Sequence, residues 1–162
     1  MFIAVDPNAG VAAAPLKTTL APVVNNYRMA GVDLEFDDPI YVSLEIELHV
    51  CVADDYFRSD IEAALLRQLS NRILPDSTKG LFYPENFSFG QTVYLSPIYA
   101  AVHAVPGVAL VQVTTFQRQG TPDPSYLATG EMPLGRQEIA RLDNDPNFPE
   151  RGVLRLTFNG GK

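Results

Sequence analysis

Asp143, Asp145 and Asn147 stand at alternate positions in the stretch DNDPNFPE, residues 143–150. Oxygen-bearing side chains at that spacing open the calcium loop of a helix–loop–helix hand. Such a loop also requires glycine at position six and a bidentate glutamate at position twelve. Counted from Asp143, those positions hold Phe148 and Leu154, and Pro146 falls inside the loop. Asp and Asn also build turns, bonding their own backbone two residues on. A stiff connection is therefore the leading reading, and a small divalent-cation-binding module on residues 143–147 is the alternative.

The other reactive residue types do not converge. Glu45, Glu47 and His49 alternate along one segment, so a strand would aim all three to one side, where oxygen and imidazole can share a metal. A solvated or partner-facing sheet surface accounts for them equally well. Cys51 lies two residues from His49, but no third group is placed to orient a thiol–imidazole pair. Ser96 lacks the GxSxG setting of a hydrolase nucleophile, and no glycine-rich phosphate loop is present. No catalytic residue, metal or cofactor is expected, and the chain does not read as an enzyme.

The elements that must position these residues follow from periodicity. Val42, Leu44, Ile46, Leu48, Val50 and Val52 alternate with polar or mixed neighbours, which is the period of a strand over 40–53 with one apolar face. Ser59 reads as a helix cap with Asp60 and Glu62 in the first turn, and Ile61, Leu65, Leu69 and Ile73 continue as the apolar stripe of a helix over 59–74. That stripe is expected to roof the even face of the strand. Ser96-Pro97 opens a short helix whose inner face is Ile98, Ala101, Val102 and Val105, ended by Pro106-Gly107. Residues 108–118 form a second strand; 138–142 and 153–158 are shorter ones. Residues 2–5 read as a strand and 15–29 as a helix with Leu16, Leu20, Val23, Val24 and Tyr27 on one face and Gly31 as its cap. Pro22 should kink or shorten that helix. Residues 75–92 and 119–133 read as loops. Phe82, Tyr83, Phe87 and Phe89 make the first of these unusually aromatic. The expected class is α+β: a mixed or antiparallel sheet with helices on one face and a ferredoxin-like split β-α-β core.

Composition bounds the possibilities. A chain of 162 residues, 46% apolar and 19% charged, is sized for a single domain, residues 1–162, with a real core. Thirteen prolines and eleven glycines require long connections. A net charge of −7 with scattered Lys and Arg gives no footprint for nucleic acid. The lone cysteine rules out an internal disulfide. No apolar run approaches the roughly 20 residues that cross a membrane, and the first ten residues carry no basic lead of a signal peptide.

From about residue 85 the chain resembles a known family. FSFGQTVYLSPIYAAVHAVPGVALVQVTTFQRQG and LGRQEIARLDNDPNFPERGVLRLTFNGG are similar to the C-terminal part of the baseplate J-like family of baseplate assembly proteins. IYVSLEIELHVCVADDYFRSDIEAALLRQL fits the same pattern, so the resemblance covers residues 32–162, with 1–31 matching only in general character. It implies the C-terminal portion of a longer protein. It also implies a structural role in the baseplate wedge of a contractile phage tail or phage-tail-derived injection system. The expected place is the virion baseplate or a phage-tail-like particle assembled in the bacterial cytoplasm. The expected partners are other baseplate and tail proteins and copies of the chain itself, with no nucleic acid, membrane or small-molecule substrate. Candidate contact residues are Phe82, Tyr83, Phe87 and Phe89 in one loop and Asp143, Asp145, Asn147 and Phe148 in the other.

Overall fold

The computed structural model describes residues 2–4, 13–29, 31, 33 and 35–162. Along the chain run β1 (Phe2–Ala4), α1 (Ala13–Asn25), β2 (Glu35–Asp37), β3 (Ile40–Val52), α2 (Arg58–Gln68), β4 (Val93–Tyr94), α3 (Leu95–His103), β5 (Val108–Arg118), α4 (Pro124–Thr129), β6 (Glu131–Met132), β7 (Glu138–Arg141) and β8 (Val153–Gly160).

Strand β3 is the spine. Its even side chains from Val42 to Val52 are buried, and its odd ones are only half-covered, as the alternation requires. Leu44, Ile46, Leu48 and Val50 are wholly shielded from solvent, each contributing about 1.5–3 kcal/mol relative to exposure. Above them pack Ile61, Leu65 and Leu69 of the α2 region, and Ile98, Ala101, Val102 and Val105 of the α3 region.

β5 runs antiparallel along one edge of β3, pairing Leu44 with Arg118 and Val52 with Val108. The opposite edge is shared. β7 pairs parallel with Ile40–Ser43, and β8 pairs parallel with Glu45–Val52. The two are halves of one strand position, interrupted by residues 142–152. The small pairs β1–β2 and β4–β6 lie apart from this sheet.

The chain is therefore α+β with a mixed sheet. The ferredoxin-like detail is not confirmed. A split unit needs two parallel strands flanking a third, whereas β3 is flanked by antiparallel β5 and parallel β7/β8.

Several boundaries differ from expectation for identifiable reasons. α2 begins after Phe57 as its cap, with Ser59 already inside the helix. It ends at Gln68 because the chain returns: the amide of Leu81 donates to Gln68 O and that of Phe82 to Ser70 O. Ile73 thus leaves the stripe, pairs as a bridge with Lys79, and is 58% exposed. α3 begins at Leu95, whose amide is held by Gly130 O, so Ser96 and Pro97 sit in its first turn and Ser96 is not the cap. Loop 119–133 contains α4, capped by the Asp123 side chain on the Ser125 amide and closed by left-handed Gly130. α1 retains Pro22 inside, and Val23 and Tyr27 are exposed. Gly31 has positive φ but lies beyond that helix end. Val5, expected at the end of the first strand, lies outside the described residues.

Candidate functional site

Residues 142–152 leave the sheet after Arg141, opposite Ser43, and rejoin it at Val153, opposite Glu45. Leu44 alone separates those two partners, so a single residue would have continued the strand. The longer path is an Ω-like excursion, a class of loop packed by its own side chains and frequently functional.

Its base is closed by backbone. The Asp143 amide donates to Arg151 O and the Asn144 amide to Gly152 O. Asn144 has a left-handed φ of 48°, and its Oδ1 accepts the Leu154 amide at 3.0 Å. Gly152, at φ 101°, lies so close to the sheet that a Cβ would stand 2.9 Å from Arg141 O. The tip is an Asx turn: Asp145 Oδ1 accepts from the Asn147 amide at 2.9 Å and from its Nδ2 at 3.1 Å. Asp143 Oδ1 accepts from Asn71 Nδ2 at 2.9 Å, and its other oxygen lies 4.0 Å from Arg151. Asp145 thus bonds within its own turn, whereas the Asp143 carboxylate faces the Asn71 amide and the Arg151 guanidinium. Among the described residues no three His, Cys, Asp or Glu side chains gather as a metal set.

The returning arm rests on the outer sheet face. Ser43 Oγ donates to Glu150 O at 2.7 Å and Gln119 Nε2 to Pro149 O at 2.8 Å. Between this arm, Tyr41, Arg118 and Glu138 lies an open groove of about 630 Å³. Arg118 closes it with a forked bond to Glu138 at 2.8 and 2.9 Å. The Arg118 guanidinium first, and the Gly135 amide second, hold the Glu138 carboxyl below its usual range. What the excursion displays is Phe148, 44% exposed, with the Arg151 guanidinium 4.3 Å over its ring. An exposed aromatic–arginine stack is the composition enriched at protein interfaces.

The aromatic loop divides. Phe82 is 3% exposed and stacks on Phe87 with ring centroids 6.0 Å apart. Phe82 is therefore a core residue rather than a contact residue, because the returning segment 80–82 is tied to the end of α2 and aims that ring inward. Phe87 is half-buried against it. Tyr83 and Phe89 are also half-buried, and Lys79 stands 5.1 Å over the Tyr83 ring. The Gly90 amide fastens this loop to Glu138 O, at the start of β7, while residues 142–152 leave from its far end.

On the odd face each polar side chain of β3 finds a cross-strand partner. Glu45 takes Gln117 at 2.8 Å and Arg155 at 2.6 Å, Glu47 takes Thr115 at 3.2 Å, and His49 meets Thr157 at 3.0 Å. Gln117 foremost, then Arg155, lowers the Glu45 pKa. Glu45, Glu47 and His49 are thus spread along a ladder and not focused on one point. Cys51 is half-buried and unbridged. The exposed apolar residues Leu110 and Phe57 escaped sequence reading: Leu110 sits in the run VALV, whose pattern promises burial, and Phe57 in the polar connection before α2, where no period marks it. Among the described residues no helix is long and apolar enough to cross a membrane.

No protein-family model and no curated protein matches this chain.

Proposed function

We propose that this chain is a non-enzymatic assembly module of a contractile-tail baseplate or a related injection machine. It presents ordered loops on a rigid sheet to neighbouring tail proteins. Residues 142–152 carry the reading: an excursion far longer than the strand needs, braced at its base and tip, with Phe148 and Arg151 displayed outward. Ordering a loop before contact removes an entropy cost from association. The resemblance of LDNDPNFPE, VPGV and FGQ to baseplate J-like sequences gives the module its setting. Tyr83 and Phe89 form a second contact segment.

The test is co-purification of the full-length protein with its neighbouring tail proteins, followed by sizing. Phe148→Ala and Arg151→Ala together should reduce capture at least about tenfold, the effect of losing one interface anchor, while leaving the melting temperature of the free chain within a few degrees. A full-length protein that captures none of its neighbours overturns the proposal.

A further inference from the structure

We infer that β8 is an isologous dimerisation edge, pairing antiparallel with β8 of a second copy of this chain. The surface is distinct from the excursion, and its failure would leave the assembly reading above standing.

Strand residues alternate the direction of their amides. The Leu154 amide points away from β3, since Asn144 Oδ1 accepts it. Leu156 and Phe158 therefore also present N–H and C=O outward, while Arg155 and Thr157 bond to β3. The outer edge is capped at its ends only. Asn144 fills the slot at Leu154, the Asn159 side chain accepts the Gly160 amide at 2.8 Å, and Arg58 Nε donates to Gly160 O. Among the described residues no strand pairs with the outer side of β8, and the outward groups of Leu156 and Phe158 have no partner. At the opposite edge of the sheet the Val113 amide of β5 is already taken by Tyr99 Oη at 3.5 Å. Edges left open without proline, bulge or inward charge are templates for another strand.

The sequence of β8 selects a second copy as the occupant. In an antiparallel pair, directly opposed residues share a face. With Thr157 opposite its own mate, Leu156 faces Phe158 and Arg155 faces Asn159. Both apolar residues are half-buried on the helix side, so they find cover on one another. Each outward N–H of Leu156 and Phe158 meets an outward C=O of the partner, and the Asn144 cap stays in place. The register centred on Phe158 opposes Leu156 to Gly160, whose amide the Asn159 side chain already holds. The shift that centres on Leu156 asks Leu154 to donate an amide already taken. One register is thus satisfied on hydrogen bonds, apolar cover and charge together, and a two-fold axis normal to the sheet keeps both helix layers on one side.

Sedimentation of the 162-residue chain across a concentration range should show a monomer–dimer equilibrium. Amide exchange at Leu156 and Phe158 should slow as concentration rises. Thr157→Lys and Thr157→Glu each place like charges across the axis and should weaken the dimer by about tenfold or more. Mixing the two variants should restore it, as unlike charges then face each other. A chain that is monomeric throughout, with concentration-independent exchange at those two amides, overturns the inference. So does a dimer indifferent to both substitutions.

Discussion

Gly152 decides where the excursion ends. Its φ of 101° is costly for any L side chain, and a Cβ there meets backbone: Arg141 O at 2.9 Å and Leu44 O at 3.0 Å. Gly152→Ala should therefore cost about 2–4 kcal/mol in urea unfolding, from strain plus overlap. Gly120, with φ 77° and open space around it, is the control and should cost about 1 kcal/mol. The acid limb of stability belongs to the same scale. Glu138 and Glu45 both have folded pKa values below the ordinary 4.5, with Arg118 and Gln117 as the leading causes. A depressed folded pKa stabilises above the unfolded value and loses that contribution as pH falls through the folded one. Stability should thus decline as pH drops below about 4.5, and Glu138→Gln or Glu45→Gln should flatten that decline in pH-dependent urea titrations. Because Asp143 and Asp145 already face protein donors, millimolar calcium should leave the melting temperature unchanged. A clear rise in calcium that chelator reverses would assign them to a cation instead.

Elements were legible in proportion to how long their pattern runs. β3 and β5 are long enough for period two to dominate, and both lie within the expected boundaries. α2 was legible in its stripe but not in its end, because the stop comes from a distant return, Leu81 onto Gln68, which local periodicity does not encode. α4 was missed although Asp123-Pro124 and Gly130 are ordinary start and stop signals; its few turns are too short to show a period. The excursion was readable as turn chemistry from DNDPNFPE, and 138–142 and 153–158 as the strands beside it, but not their sharing of one edge of β3, since parallel pairing by two separate segments leaves no local trace. Phe82 was misplaced for the same reason as the end of α2: segment 80–82 carries it inward. Phe82→Ala should cost about 3–5 kcal/mol in chemical denaturation, whereas Tyr83→Ala, on the half-exposed neighbour, should cost far less. Similar losses at both positions would place Tyr83 in the core as well.

At the scale of the molecule, one strand sets the limits of cooperativity. β3 pairs with β5, β7 and β8, and the buried core runs from Val42 to Leu154 without drawing on any described residue before β3. The segment before β3 forms its own two-stranded pair, β1–β2, with Lys17 reaching Phe36 O and Asp38. One polar link from it to the main sheet, among the described residues, is the Gln137 side chain on Asp37. A partly exposed hydrogen bond of that kind is worth about 1 kcal/mol, which for a domain of this size shifts the melting point by about 2–4 °C. A chain beginning at residue 38 should therefore melt in a single transition within that shift of the full chain. In native-state amide exchange, β3 should open only with global unfolding while α1 exchanges through a smaller local opening. Should the shortened chain lose its cooperative transition, the segment before β3 would have to cover the sheet in a way its polar links do not express, and the spine would extend to β1.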